Sequence, residues 1–284
     1  MPLAMPNKEE FYHRIELGLS KFPSLLARLP SGYPRAGTAA VDQERALTFE
    51  TDRTGHFSHN INLPLALYLI GYDHARPGAR AFASQLLRVV DTFLSRFRDI
   101  RCVVQVAEPL WRAGWDVHDP TLWTVVAHAA RALRLQHEGA TVIQFEARTG
   151  VGNTTADILF NRDGTDTFLD IELWHAAKGS TIEHVRERAV QRAEEKAAKK
   201  FPNLPAGARG IVSEYCFPVL DSFNLVANER TLLEPFSLVR TPRCSGELFV
   251  FHGVADKAGQ LWGFRIADPT GDALPVLPVR LQRR

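Results

Sequence analysis

The chain has 284 residues, 45% of them hydrophobic and 23% charged, with a formal net charge of +2. That composition is globular and excludes global disorder; a sequence-independent nucleic-acid coat would be more basic, although +2 leaves a nucleic-acid partner open. Three widely spaced cysteines, Cys102, Cys216 and Cys244, supply neither a disulfide framework nor a zinc motif and fit a reducing compartment.

Residues 1–7 lack a basic start followed by a long apolar stretch, so no secretory leader is expected. The longest apolar run, Leu63–Gly71, is too short to span a bilayer, and a cytoplasmic protein with no membrane partner is the expectation. Residues 8–30 read as one amphipathic helix with Phe11, Ile15, Leu19, Phe22 and Leu26 on its apolar side, broken by Pro30-Ser31-Gly32. Residues 34–60 are polar and turn-rich. His56 and His59 lie there with no third ligand at useful spacing, so a surface loop is expected rather than a metal clasp. Leu63–Tyr72 reads as a buried apolar run. Pro77–Phe97 has Phe82, Leu86, Val90, Phe93 and Phe97 at helical spacing, and Cys102–Val106 reads as a short strand. Trp111, Trp115 and Trp123 read as core or interdomain filler. The chain thus divides into a mostly helical N-terminal region, 1–115, and a second region, 116–284.

In the second region Pro120–Glu138 reads as a helix, with Leu122, Val125, Val126, Ala129 and Leu133 at helical spacing behind an Asp119-Pro120 start. Thr141–Glu146 is β-rich, and Gly150-Val151-Gly152-Asn153 reads as a turn. Two acid-bearing runs follow, Ala156–Phe160 and Phe168–Trp174. They are separated by a polar cluster with Asp163-Gly164, a hairpin signal. Ser180 or Thr181 can cap a helix through about Lys200, with a narrow stripe of Val185, Ala189, Ala193 and Ala197. Pro202 and Pro205 end it, and Arg209–Cys216 begins another strand. Beyond a loop at 218–228, residues 229–236 read as a short helix. Glu247–His252 and Leu261–Ile266 read as a hairpin that extends the central sheet, with no catalytic duty for His252. Leu274–Leu281 is a proline-punctuated tail.

Strand period is two, so Phe168, Asp170, Glu172 and Trp174 share one face, and Leu169, Ile171 and Leu173 the other. Asp157 lies on the face of Leu159. Pairing across the Asp-Gly turn brings Asp157, Asp170 and Glu172 toward one side of the sheet. Crowded carboxylates repel unless a cation neutralises them, and a hard divalent ion takes such oxygens as ligands. The other reading is a hairpin whose acids face water.

The order helix, three strands, helix, strand over residues 119–216, with Asp on the second strand and acid-x-acid on the third, resembles the PD-(D/E)XK superfamily of restriction-endonuclease-like nucleases. The resemblance implies a mixed α/β sheet with an αβββαβ core. It also implies metal-assisted hydrolysis of nucleic acid, DNA or RNA, with Mg2+ or Mn2+ as cofactor. Asp157 matches the family's first metal-ligand Asp, with Ala156 in place of the usual Pro. If Glu172 is the second acid, the family's Lys position holds Trp174. If Asp170 is, Glu172 takes the Lys position, and this reading keeps the indole out of the centre. Asp157, Asp170, the carbonyl of Ile171 and Glu172 would then hold the metal. Glu146 or Glu138 would supply a further acid. Lys178, six positions after Glu172, would reach back to stabilise phosphate charge as migrated lysines do in some relatives; His175 is another candidate base but falls on the face opposite Glu172. Arg186 and Lys196, on the following helix, are the candidates for nucleic-acid backbone contacts, against the plainer reading of a solvated face with mixed i,i+4 pairs. The missing Lys leaves a second function open: a catalytically compromised relative that binds protein or nucleic acid.

Overall fold

The computed structural model describes residues 8–33, 50–51, 57–58, 77–112, 120–175, 181–217, 235–250, 252–255 and 261–265. His56, His59, the 63–72 run, Trp115, Asp119, Lys178, residues 218–234 and the tail after 265 lie outside them.

The N-terminal region contributes α1 (Lys8–Leu19), α2 (Pro23–Leu26), the short antiparallel pair β1 (Glu50–Thr51) and β2 (Phe57–Ser58), α3 (Pro77–Arg96) and α4 (Val103–Arg112). The single helix expected over 8–30 is two. Phe22 is extended at φ −128°, and Pro23, which lacks an N–H, starts the second piece. The strand expected at 102–106 is instead the start of α4. Val103, Val106, Ala107 and Leu110 fall on one helical side and are buried, so packing prevails over β-branched propensity.

The second region follows the expected order: α5 (Pro120–His137), β3 (Thr141–Arg148), β4 (Thr155–Arg162), β5 (Thr165–His175), α6 (Ile182–Lys200) and β6 (Arg209–Phe217). With β7 (Phe236–Ser237) and β8 (Cys244–Val250) the strands form a six-stranded mixed sheet in the order β3-β4-β5-β6-β8-β7. β3, β4 and β5 are an antiparallel meander, and β6 joins β5 in parallel through α6. The hairpin expected to extend this sheet divides. β8 enters it parallel to β6, whereas among the described residues β9 (His252–Ala255) and β10 (Leu261–Arg265) pair with each other in a separate two-stranded sheet.

Local chemistry fixes the joints. α5 ends at Gly139, φ +82°, with the Ala140 N–H reaching the Leu135 carbonyl, a left-handed cap that glycine adopts without strain. The β4–β5 turn has both central residues at positive φ, Asp163 at 51° and Gly164 at 77°, as a two-residue type I′ hairpin requires. The Thr181 hydroxyl caps α6 by accepting the His184 N–H at 3.3 Å. At the sheet's edge the Arg101 carbonyl accepts the Phe145 N–H at 3.0 Å, covering part of an open strand.

Two apolar clusters lie on the two faces. One joins the N-terminal helices and α5 to Phe145, Ile158, Phe160, Leu169 and Ile171. The other joins Val185, Ala189, Ala193 and Ala197 of α6 to Phe168, Trp174, Val212 and Leu248. β5 thus divides by alternation as its sequence pattern predicts. Among the described residues no helix is long and apolar enough to cross a membrane.

Candidate metal and phosphate centre

Backbone pairing of β4 with β5 runs from Arg162–Thr165 to Ile158–Leu169. One residue further, the Asp157 carboxylate takes the place of a backbone acceptor: its Oδ2 accepts the Ile171 N–H at 2.5 Å. The two strands part there, and the acids line the gap. Asp157 is mostly buried, with 14% of its side chain exposed, and its Oδ1 lies 3.3 Å from His128 Nε2 on α5. Asp170 is fully buried on the opposite strand.

α6 answers these acids. Arg188, Arg192, Lys196 and Lys200 are spaced by four and form one stripe beside the alanine stripe. Lys200 Nζ donates to Asp170 Oδ1 and, at 2.6 Å, to the Thr155 carbonyl, so it ties β4 to β5. Lys196 Nζ lies 3.2 Å from Asp170 Oδ2 and 3.5 Å from Glu172 Oε2. Arg192 pairs with Glu172 and lies 3.6 Å from Glu214 on β6, which is level with Glu172 in the parallel register. Carboxylates and cations therefore alternate along the seam from Lys200 to Glu214.

Burial sets the protonation states. Burial pushes Asp170 up to about 6, helped by the charge of Asp157 and opposed by Lys196 and Lys200. Burial and the neighbouring Glu172 push Glu214 up to about 8, against Arg192, so Glu214 carries a proton at neutral pH. For Asp157 burial pulls upward but loses to His128, the Ile171 N–H and Lys200, and its pKa falls. For His128 burial pulls downward but loses to Asp157, the Thr124 carbonyl and Glu146, and its pKa rises.

The expected residues are thus distributed as follows. Asp157, Asp170 and Glu172 lie along one seam, and Ile171 contributes its N–H to Asp157. Lys196, expected to face nucleic acid, turns inward between Asp170 and Glu172. Arg186 lies over the Phe236 ring at 5.9 Å. Trp174 is buried, with Arg188 and Arg192 each 5.6 Å from its ring. Glu146 holds the Thr155 hydroxyl at 2.8 Å. Glu138 instead serves a surface cluster with Arg134 at 2.7 Å and Arg162 at 2.6 Å. Sequence reasoning missed His128, Glu214 and the pairing role of Lys200. The i,i+4 cation stripe beside the alanines was the available signal for Lys200, and an acid inside the apolar β6 run was the signal for Glu214. His128 sits mid-helix with nothing nearby in sequence to mark it.

Among the described residues, His128, Glu146 and Asp157 form a compact set of metal-type donors, each offering an atom within 4.8 Å of the others. Asp170 and Glu172 are not in that set; their partners are the cations of α6.

No protein-family model matches the chain, and no curated protein is similar to it in sequence. Among solved structures, SfsA of Pyrococcus furiosus in complex with Ca2+ aligns at 14% identity over 57% of this chain, with a TM-score of 0.25. The alignment covers 66% of that SfsA chain, just under two thirds, and a superposition this loose carries no argument about what the present chain does.

Proposed function

We propose that the chain hydrolyses phosphodiester bonds of DNA or RNA with a divalent cation, Mg2+ or Mn2+, and that Asp157 is the cation's anchoring ligand. One observation carries the reading. Asp157 sits where β4 and β5 part, across from a fully buried Asp170 whose carboxyl burial and the Asp157 charge push toward the protonated form. Carboxylate oxygens suit a hard cation, and two facing carboxylates repel each other less when one lies between them. When bound, such an ion polarises a phosphate oxygen and lowers the pKa of its water.

The chain's own groups supply the rest. Lys200 holds Asp170 and the Thr155 carbonyl together and so fixes the width of the gap. Lys196 spans Asp170 and Glu172, and its ammonium is placed to turn toward a phosphate oxygen as charge develops there. In this reading α6 supplies, from a helix, the amine that position 174 lacks. Glu172 orients the attacking water, Lys178 adds charge at the phosphate, and Arg186 contacts the nucleic-acid backbone.

A second reading has its own support. Three cations of α6 already neutralise Asp170 and Glu172, as expected of a silent relative that binds protein or nucleic acid. An assay on single- and double-stranded DNA and RNA, with Mg2+, Mn2+ or chelator, separates the two. Hydrolysis predicts metal-dependent products that fall by roughly 1,000-fold or more in Asp157→Ala. Binding indifferent to both metal and substitution, with no product, supports the second.

A further inference from the structure

We infer that a hollow lined by Arg162, Arg209 and Arg243, at the end of the sheet that carries the β4–β5 turn, holds the phosphates of a single nucleic-acid strand. The inference rests on the nucleic-acid partner of the proposed function and on neither its metal nor its chemistry.

Alternation and register place the lining. Phe160 and Arg162 of β4, Thr165 and Thr167 of β5, and Arg209 of β6 share the α5 face. α5 ends at His137, and beside that end Glu138 takes Arg162 at 2.6 Å. The hollow has a volume of about 740 Å3. Phe160, 2% exposed, and Thr167, 5% exposed, form its floor. Among the described residues Asp163 is the one acid in its lining.

The three guanidiniums keep most of their charge. Arg243 is held by two carbonyls, Nη1 donating to Pro205 at 2.9 Å and Nη2 to Leu204 at 3.1 Å. Those bonds fix its position and cancel no charge. Arg209 is exposed and meets no acid among the described residues. Arg162 divides Glu138 with Arg134, so one carboxylate serves two cations, and its Nε is buried with no hydrogen bond. Like charges gathered in one hollow repel, and a cleft lined by one sign of charge draws the opposite sign.

Arginine suits phosphate, whose oxygens accept its paired N–H groups. The spacing favours a strand over a single phosphate. Arg162 stands on β4, Arg209 two strands away on β6, and Arg243 just before β8, the next strand. With neighbouring strands about 4.8 Å apart, the cations step across the sheet by about 10 and then 5 Å instead of converging on one point. A cationic groove of this kind follows a sugar–phosphate backbone. Phe160 lies too deep to stack on a base, so the contacts read charge and not sequence. Arg162 is five residues along β4 from Asp157, about 17 Å, so the hollow is separate from the acid seam.

The test is fluorescence anisotropy of a short labelled oligo-dT strand titrated with the full chain in chelator, at several salt concentrations. Arg209→Gln, at an exposed position, should weaken binding roughly 5-fold or more and make the slope of log K against log salt shallower by about 0.7. Arg243→Gln should weaken it at least as much. Arg98→Gln removes the same charge from an exposed site outside the hollow and should change affinity less than roughly 2-fold. No binding by the wild type, or equal losses in Arg209→Gln and Arg98→Gln, overturns the inference. Calorimetric binding of inorganic pyrophosphate through Arg209, with no strand bound, also overturns it and assigns the hollow to a small phosphate compound. Strand binding through Arg209 with no metal-dependent product keeps the groove and rejects the enzyme reading. Metal-dependent cleavage whose KM is indifferent to Arg209→Gln keeps the enzyme reading and rejects the groove.

Discussion

The two faces of the central sheet are covered by helices of similar length, yet they handle charge in opposite ways. On the α5 face a wide apolar cluster encloses the Arg131–Glu247 pair: Arg131 grips Glu247 with two hydrogen bonds, at 2.7 and 3.1 Å, and Ser213 donates to the same carboxylate. Nearby, Tyr215 stacks on Phe249 at 4.7 Å, and Arg131 lies 5.7 Å from the Phe249 ring. That pair is buried and bidentate, and Arg131 Nη1, which has no hydrogen bond, lies 3.8 Å from Glu138. On the α6 face an alanine stripe lets the helix lie close to the strands, and the adjoining stripe of cations reaches a row of acids that share their partners: Lys196 lies between Asp170 and Glu172, and Arg192 between Glu172 and Glu214. A pair with one fixed partner locks a fold, whereas acids that share their cations form a row in which a ligand can compete for them.

Breaking the closed pair should have the largest effect. Arg131→Ala strands Glu247 in the core and should cost about 3–5 kcal/mol in urea unfolding, whereas Arg131→Met with Glu247→Leu should recover most of it. If the single and double variants are equally unstable, the pair contributes more than its own burial explains.

The α6 face is sharpened by crowding it. Ala193→Leu places a branched side chain where a methyl now packs fully buried, and should cost about 1–3 kcal/mol while pushing the cation stripe off the acids. Retained stability with retained Mn2+ affinity would show that the close approach is not what holds the seam.

The smallest effect is a pH dependence. Glu214 rises from an ordinary 4.5 to about 8 in the folded state. An acid with a raised folded pKa binds more protons folded than unfolded. Its contribution is therefore complete below 4.5 and is lost as pH climbs through about 8. Glu214→Gln removes that loss. Between pH 6 and 9 the wild type should lose about 2–3 kcal/mol that the variant keeps, as compared by chemical denaturation at each pH. Parallel curves would mean that Arg192 already holds Glu214 ionised.

Much of this contrast is written in the chain, because its causes are local. Asp163-Gly164 dictates the β4–β5 hairpin, alternation along β5 divides acids from aliphatics, and the Val185–Ala197 stripe fixes which side of α6 is buried. What stayed hidden is set by tertiary pairing. Arg131 and Glu247 are 116 residues apart. His128 lies in a helix whose apolar pattern explains it equally well as filler. Lys196 reads as a surface residue until α6 is laid on β5 and its ammonium is seen to face the acids. The strand expected at 102–106 was lost for the same reason, since β-branched residues accept a helix when one side of it is buried.

The most direct test of the account is anomalous diffraction from crystals of the full chain soaked in Mn2+. The account predicts one strong peak within coordination distance of Asp157. Density for the protein around Asp157 but no peak at saturating Mn2+, or a peak that leaves Asp157 untouched, would contradict it.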